Sequence, residues 1–256
     1  MENKAPCGSQ AQSYAQERVL PYNTEEKKSQ QVESMFDNIA STYDVLNHAL
    51  SWGIDKRWRK KSVHVLSAYP HQNILDVATG TGDFAILLAQ KLHPQSLCAC
   101  DFSKGMLALA HAKGMRAHLD GVISFQKEDA ECLSFADASF DLVTIAYGAR
   151  NFEHLDVCLR EMFRVLRPGG RLAILELSAP SRFPMKQLFA LYARFWMPLV
   201  GRSVSGDGAA YRYLPRSLEV CPQGEQMTQI LCRAGFSEAC FHRFTQGLCT
   251  LYIAVK

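Results

Sequence analysis

The fold of this chain is decided by residues 73–83, which read NILDVATGTGD. An apolar run, an acidic residue and two glycines separated by one residue follow in that order, which predicts a buried strand, a tight turn and the start of a helix. Gly80 and Gly82 allow the backbone to turn sharply and allow a ligand to approach it closely. Because adenosine-containing cofactors bind at the turn after the first strand of a parallel sheet, this stretch predicts an α/β domain with a cofactor site.

The residues around the turn leave two cofactor classes open. Gly80, Gly82 and Ala85 match the dinucleotide pattern G-x-G-x-x-G/A, which allows NAD. Asp76, before the turn, would repel a pyrophosphate but would attract the sulfonium of S-adenosylmethionine. Asp101 closes the next apolar run, and its carboxylate can accept hydrogen bonds from both hydroxyls of a ribose. Both cofactors contain that ribose, so Asp76 is the residue that favours S-adenosylmethionine.

Composition excludes several other classes of protein. The chain has 256 residues, of which 48% are hydrophobic, enough for one sizeable core. A net charge of +3 gives no overall electrostatic case for nucleic-acid binding. The nine cysteines include no C-x-x-C pair, which is typical of reduced thiols rather than a disulfide framework or a metal site. The sequence contains no apolar span of membrane length and no signal-type N-terminus, so we expect a cytoplasmic protein.

Strand and helix patterns alternate along most of the chain. The helical patterns separate runs of strand character, and two late runs are predicted to pair antiparallel around Gly247. The predicted strands end at Asp76 and Asp101 or span residues 122–127, 140–145, 171–177, 239–244 and 248–255. This alternation is typical of a seven-stranded, mostly parallel sheet with helices on both faces.

Three segments lie outside this alternation. Residues 1–30 are polar and are predicted to form a flexible tail. Residues 31–68 have helical apolar spacing, and residues 185–217 follow the fifth strand. Right-handed connections would place both of these segments over the carboxyl ends of the strands, where a lid over a cofactor belongs. We therefore predict one domain over residues 31–256, with a helical cap and a helical lid insertion.

Four motifs place the chain near a known family. They are YDVLNHALS at 43–51 with Trp58, YGARN at 147–151, RVLRPGGR at 164–171 and YRYL at 211–214. Together with the glycine turn, they resemble the C-methyltransferases of ubiquinone and menaquinone biosynthesis, within the class I S-adenosylmethionine-dependent methyltransferases. The resemblance covers about residues 33–256 and implies a Rossmann-like fold. The chain departs from the family pattern at Leu46, where Met is usual, and at Asp55, where His is usual.

The resemblance implies which residues bind the cofactor, S-adenosylmethionine. Thr81 would bind it in the glycine turn, and Asp101 would bind the ribose. Asp129 and the backbone N–H of Ala130 would bind adenine, since one can accept from its amino group and the other can donate to a ring nitrogen. As an alternative, Asp101 and Asp129 would simply cap the helices that follow them, because Asp is a good N-cap.

The resemblance also implies the reaction, which is methyl transfer to a ring carbon of a polyprenylated quinol. Demethylmenaquinol is the first candidate, and the benzoquinol of the ubiquinone pathway is the second. Arg150, positioned by Asn151, would stabilise the phenolate that activates the ring carbon. Tyr43 would orient the ring hydroxyl, and Asp44, or a water held by Arg150, would take its proton. The alternatives are an ordinary turn at 150–151 and a solvated helix face at Tyr43 and Asp44.

Two surface patterns also have more than one interpretation. The basic cluster 56–61 fits a solvated helix face with Trp58 turned inward, RNA binding or peripheral contact with anionic lipid at the inner face of the membrane. An apolar stripe fits packing against the sheet or a wall for the prenyl tail. The stripe comprises Leu188, Leu191, Tyr192, Phe195, Trp196 and Leu199.

Other functions remain open at this point. They are another small-molecule or RNA methyltransferase, a non-enzymatic module that binds S-adenosylmethionine, and an NAD-dependent oxidoreductase. The sequence indicates neither the oligomeric state nor the length of the substrate's tail.

Overall fold

A seven-stranded sheet forms the centre of the fold. The computed structural model describes residues 13–22, 24–180, 182–196 and 208–256. The strands are β1 (Asn73–Val77), β2 (Ser96–Asp101), β3 (Ile123–Lys127), β4 (Phe140–Ala146), β5 (Leu166–Leu177), β6 (Glu238–Phe244) and β7 (Cys249–Val255). Their order is β3-β2-β1-β4-β5-β7-β6, and only the pairs that involve β7 are antiparallel among the described residues. The predicted mostly parallel, seven-stranded sheet is confirmed.

Helices lie on both faces of this sheet and over its carboxyl edge. They are α1 (Lys28–Ile39), α2 (Tyr43–Ser51), α3 (Ile54–Leu66), α4 (Asp83–Leu92), α5 (Lys104–Arg116), α6 (Leu155–Val165), α7 (Met185–Leu191), α8 (Gly208–Val220) and α9 (Glu225–Arg233). The strand order reverses direction at β1, which lies between β2 and β4. Such a switch point opens a crevice at the carboxyl ends of these strands, and ligands of α/β proteins bind there.

Alternation along the strands creates a core on each face of the sheet. Leu75 and Val77 pack in a cluster with Leu159 of α6, whereas Ile74 packs in a second cluster with Leu88 of α4. Successive side chains of a strand point to opposite faces, so a strand that is apolar throughout must be covered on both sides. This double burial explains why the run before the glycine turn is continuously apolar.

The prediction of a flexible tail over residues 1–30 is wrong from Ser13 onward. Tyr14 and Gln16 are buried, and Gln16 Nε2 donates to the carbonyl of Ala149 at 3.2 Å. The first helix begins at Lys28 rather than near residue 31. Polar residues are buried here because they bond to the backbone of a distant segment, which composition does not reveal. Residues 1–12 lie outside the described residues.

The predicted lid begins as a helix and is largely uncovered on its outer side. After α7, one turn of π-helix spans Tyr192–Trp196. The side chains of Leu188, Leu191 and Phe195 are exposed, so packing of the whole stripe against the sheet is wrong. Leu199 lies outside the described residues. Within the described part of the chain, no helix is both long enough and apolar enough to cross a membrane.

Candidate functional site

A cavity opens at the carboxyl ends of β1, β2 and β4. α1 covers it from the other side, with Val32 and Phe36 among the lining side chains. Five of the seven predicted cofactor-binding residues line this cavity, namely Gly80, Thr81, Asp101, Asp129 and Ala130. The structure therefore brings together residues from three separate loops, as the sequence prediction requires.

The two glycines of the turn have different roles. Both have positive φ, +58° at Gly80 and +80° at Gly82, which favours glycine. A Cβ on Gly80 would meet nothing within 4 Å, so the backbone there is open to a ligand. A Cβ on Gly82 would lie 3.0 Å from the Cβ of Ala110, so Gly82 allows close packing between the turn and α5. Gly82 does not line the cavity, so its predicted contact with the cofactor stays a prediction.

Asp101 is held in place by the backbone of two loops. Its carboxylate accepts from the N–H of Gly80 at 2.8 Å and from that of Ser103 at 2.9 Å. Burial raises the pKa of Asp101, and these two bonds oppose that rise. Each oxygen retains a lone pair, so the carboxylate can accept two further hydrogen bonds from a ribose.

The interpretation of Asp101 and Asp129 as helix caps is wrong. Ser103 caps α5, because its hydroxyl accepts from the N–H of Met106 at 3.0 Å. No helix follows Asp129, whose carboxylate accepts from the N–H of Glu131 at 2.9 Å in a tight turn. Both aspartates thus line the cavity, and neither is the N-cap of a helix.

Asp76 supports the turn from below and does not line the cavity, which corrects its predicted contact with the cofactor. Its carboxylate accepts from the hydroxyl of Thr79 at 2.7 Å and from that of Thr144 at 2.5 Å. Burial raises the pKa of Asp76 to about 6. The side chain therefore ties the glycine turn to β4, and any charge it adds acts on the cavity from within the core.

A second cavity adjoins the first and is mainly apolar. Its walls come from α2, α3, α7 with the π-helical turn that follows it, α8, and Leu248 just before β7. The lining side chains include Trp58, Leu188, Phe189, Tyr192 and Leu218. Three side chains line both cavities, namely Tyr43, Arg59 and Tyr147. The two cavities therefore meet at these residues, where a group from a bound cofactor can reach a molecule in the apolar cavity.

Arg150 lies in a short turn after β4 and faces the apolar cavity. Its Nη1 is 2.6 Å from the Glu176 carboxylate and donates to the carbonyl of Tyr147 at 2.6 Å. Burial opposes the guanidinium charge, but Glu176, together with Tyr43 and Tyr213, raises the pKa of Arg150. Its Nε is buried with no hydrogen-bond partner among the described residues. The site thus holds a fixed, fully charged guanidinium, and Arg150 is not part of an ordinary solvated turn.

The predicted catalytic residues of α2 separate in the structure. Tyr43 and Asn47 line the apolar cavity, and burial raises the pKa of Tyr43, which keeps its hydroxyl protonated. Asp44 lines neither cavity, because its carboxylate accepts from the Thr81 hydroxyl at 2.7 Å and pairs with Lys113 Nζ at 2.5 Å. Asp44 ties α2 to the glycine turn, which corrects its prediction as the proton acceptor.

Sequence reasoning placed Trp58 on the inner face of α3 but missed that Asp55 and Arg59 are buried there too. Lys56, Arg57, Lys60 and Lys61 are exposed, as a solvated helix face requires. Trp58 and Arg59 are buried, and the Trp58 indole N–H donates to the Thr245 hydroxyl at 2.8 Å. Arg59 forms a buried ion pair with Asp55, one helical turn earlier. The helical spacing of Asp55, Trp58 and Arg59 was the available signal, since these positions share a face.

Sequence reasoning also missed Lys28. This side chain is buried, and its Nζ donates to the carbonyls of Gln16, Phe152 and Arg150 at 2.7, 3.2 and 3.4 Å. Burial lowers the pKa of Lys28 to about 8. All three donors of the ammonium are used, so the N-terminal segment fixes the turn that contains Arg150 and Asn151.

Comparisons with known proteins agree with this geometry. Residues 24–256 match the model of the ubiE/COQ5 methyltransferase family. The demethylmenaquinone methyltransferase of Bacteroides fragilis is 51% identical over 95% of this chain and 100% of that protein. The ubiquinone/menaquinone biosynthesis C-methyltransferase UbiE of Pseudomonas putida is 34% identical over 91% of each chain. A solved SAM-dependent methyltransferase from Aquifex aeolicus has a similar fold, with a TM-score of 0.57 and 17% identity over 77% of this chain and 88% of that one.

Proposed function

The chain belongs to the ubiE/COQ5 methyltransferase family, and we propose that it methylates a ring carbon of demethylmenaquinol, a polyprenylated naphthoquinol. The predicted family, methyltransferase activity and cofactor are confirmed. The observation that supports the substrate most strongly is the apolar cavity that meets the cofactor cavity at Tyr43, Arg59 and Tyr147. The relative from Bacteroides fragilis favours the naphthoquinol over the benzoquinol, since its name gives demethylmenaquinone as its substrate.

The residues of the first cavity fit S-adenosylmethionine. Asp101 offers free lone pairs to a ribose, and the open backbone at Gly80 allows close approach. Asp129 and the N–H of Ala130 lie where an adenine ring would be held at its edge. When bound, S-adenosylmethionine supplies an electrophilic methyl group, so the protein needs no covalent nucleophile.

Polar residues that line the apolar cavity would activate the ring. Arg150, fixed by Glu176, stabilises the negative charge that forms on the quinol oxygen, and that charge increases electron density on the neighbouring carbon. Tyr43 stays protonated and donates to a ring oxygen, which sets the angle of the ring. Since Asp44 is paired with Lys113, a water held by Arg150 takes the hydroxyl proton.

The prenyl tail would occupy the apolar cavity between α2, α3 and α7. Trp52 and Leu188 line this cavity and are also exposed, so they mark its opening. Phe183 and Phe195 on the same segment are 81% and 64% exposed. Residues 182–196 contain three basic residues and no acidic residue. This segment would rest on anionic lipid at the inner face of the membrane, where the substrate is dissolved.

The reaction is tested by methyl transfer from labelled S-adenosylmethionine to demethylmenaquinol and to the matching benzoquinol, under reducing conditions. We expect product from both, with the higher kcat/KM for demethylmenaquinol. A higher value for the benzoquinol would reverse the assignment of the ring. Absence of product from either quinol, with the cofactor still bound, would refute quinol methylation by this protein.

The tail site is tested by comparing long-tailed and tail-less quinols. Phe189 lines the apolar cavity, whereas Leu191 is exposed and does not line it. We expect Phe189→Ser to raise KM for the long-tailed substrate much more than for the tail-less one. Leu191→Ser is the matched control and should leave both unchanged. Equal effects of Phe189→Ser on the two substrates would contradict the tail site.

Membrane contact is tested by flotation with vesicles of phosphatidylglycerol and phosphatidylcholine, against vesicles of phosphatidylcholine alone. We expect binding to the anionic vesicles only, and loss of that binding in Phe183→Ser/Phe195→Ser. Met115→Ser removes an exposed apolar side chain from α5 and should have no effect. If the double variant floated with the anionic vesicles as well as the wild type does, contact of residues 182–196 with the membrane would be refuted.

A further inference from the structure

The cofactor cavity has a strong imbalance of charge. Among the described residues that line it, Arg59 is the only lysine or arginine. The acidic residues that line it are Glu33, Asp83, Asp101, Glu128, Asp129, Glu131 and Glu153. S-adenosylmethionine contains two cationic groups, the sulfonium and the ammonium, and one carboxylate. The acidic residues suit the cations, but a carboxylate needs a positive partner when it leaves water.

Arg59 has the geometry of such a partner. It is 8% exposed, and its guanidinium lies over the Tyr147 ring at 5.1 Å from the ring centre. The hydrogen bond to Asp55 uses Nη1, and Nε is buried with no partner among the described residues. An arginine has five N–H donors in a planar fork. Asp55 and Tyr147 therefore hold the fork in one orientation while leaving donors for a further acceptor.

The position of Arg59 in the cavity matches one end of the cofactor. Asp83 Oδ2, at the start of α4, lies 4.0 Å from Arg59 Nη1. The glycine turn separates this pair from Asp101, which can bind the ribose. The N-terminus of α4 adds a partial positive charge at this place. Lys113 Nζ also pairs with Asp83, at 2.7 Å, but it is bonded to Thr81 and Asp44 as well and does not line the cavity. Beyond the ribose, the cofactor ends in an amino acid, so its ammonium and carboxylate reach a region where Asp83 and Arg59 line the cavity.

We propose that Arg59 binds the methionyl carboxylate of S-adenosylmethionine and so fixes the angle at which the methyl group faces the apolar cavity. Arg59 also lines that second cavity, so the quinol phenolate is a competing source of the same anionic oxygen. The two sources differ in a simple way. The carboxylate contact affects cofactor binding without any quinol, whereas the phenolate contact affects only turnover of the quinol.

Calorimetry with two ligands separates these cases. S-adenosylhomocysteine has the amino-acid end, and 5′-methylthioadenosine lacks it. We expect Arg59→Met to weaken binding of S-adenosylhomocysteine roughly 10- to 100-fold, which is the loss of a charge-assisted contact. Binding of 5′-methylthioadenosine should stay within about 2-fold of the wild-type value, which is at most a few tenths of a kcal/mol. Arg59→Lys keeps the charge and should weaken S-adenosylhomocysteine less than Arg59→Met does.

Two further variants keep the test decisive. Arg59→Met/Asp55→Asn removes the buried carboxylate's charge together with its arginine, so that a folding defect is not mistaken for lost binding. Arg57→Met removes an exposed charge from the same helix and should leave both ligands unaffected. Equal weakening of the two ligands by the Arg59 variants would assign Arg59 a structural role only. Unchanged binding of both, with a lower kcat/KM for the quinol, would assign it to the phenolate. Either result overturns the proposal.

Discussion

The ion pair between Arg150 and Glu176 gives the sharpest prediction from this structure. Glu176 is 2% exposed, and its carboxylate is 2.6 Å from Arg150 Nη1. The same carboxylate also accepts from the backbone N–H of Leu177 at 2.9 Å. Replacing it by leucine leaves a guanidinium buried without its counter-charge. Removal of one partner from a buried pair costs about 3–5 kcal/mol of unfolding free energy.

The size of this loss is measurable by denaturation. For a chain of this length, 1 kcal/mol shifts Tm by about 2–4 °C, so Glu176→Leu should lower Tm by roughly 6–20 °C. Glu176→Gln retains an acceptor for Leu177 and should cost less, about 1–3 kcal/mol. Turnover should fall by roughly 100-fold in Glu176→Leu, because a displaced Arg150 no longer meets the quinol oxygen.

A double variant distinguishes the pair's effect on stability from its effect on catalysis. Arg150→Met/Glu176→Leu replaces both charges by apolar side chains and should recover most of the lost stability. It should recover no activity, since the guanidinium is gone. The comparison needs Arg150→Met and Glu176→Leu as single variants, each measured by urea denaturation. If their losses of unfolding free energy added up to the loss in the double variant, the reasoning about this pair would be refuted. A loss of less than about 1 kcal/mol in Glu176→Leu would refute it too.

Three further predictions concern the cofactor turn. Asp101→Ala should weaken S-adenosylhomocysteine binding roughly 10- to 100-fold, and unchanged affinity in calorimetry would remove Asp101 from the site. Burial raises the pKa of Asp76 from 3.8 to about 6, so the folded state binds an extra proton between these values and loses that stabilisation as pH rises through 6. The unfolding free energy of the wild type, relative to that of Asp76→Asn, should thus fall by up to about 3 kcal/mol from low to neutral pH. Urea denaturation at pH 5 and pH 7.5 measures it, and the same difference between the two proteins at both pH values would contradict the prediction. Gly148→Ala would place a Cβ 2.7 Å from that of Ala78 and should weaken cofactor binding through a displaced turn, whereas Gly121→Ala, in open space, is its control.

The N-terminal segment connects the two cavities. Side chains of α1 line the cofactor cavity, while Lys28 at the start of the same helix bonds to the turn that contains Arg150 and Asn151. Glu153 beyond that turn accepts from the N–H of Ser29 at 3.1 Å. One helix therefore both covers the cofactor cavity and holds the turn that contains Arg150.

Much of the fold could be predicted from the sequence alone, because its signals are local. Continuous apolar runs predict strands buried on both faces, and the Gly80-Thr81-Gly82 turn requires backbone angles that few other residues adopt. The aspartates at the ends of successive strands, Asp101 and Asp129, could be placed together because parallel strands bring their carboxyl ends to one edge. The cofactor site follows from that topology.

Only the tertiary structure decided which charged side chains are buried and what they bond. Lys28 and Arg59 lie in polar stretches that the sequence presents as solvated. Lys28 is buried because carbonyls of a distant turn accept from it, and Arg59 is buried because the distant Tyr147 ring packs against its guanidinium while Asp55 on the same helix pairs with it. Asp76 and Asp44 lie beside the glycine turn as expected, but their carboxylates bond to Thr144 and Lys113, and neither lines a cavity. A periodic pattern indicates which face of an element is covered. The pattern does not say which group covers that face, because the covering group often comes from a part of the chain far away in sequence. The charge of the covering group decides whether a buried polar residue is used for structure or is left to bind a ligand.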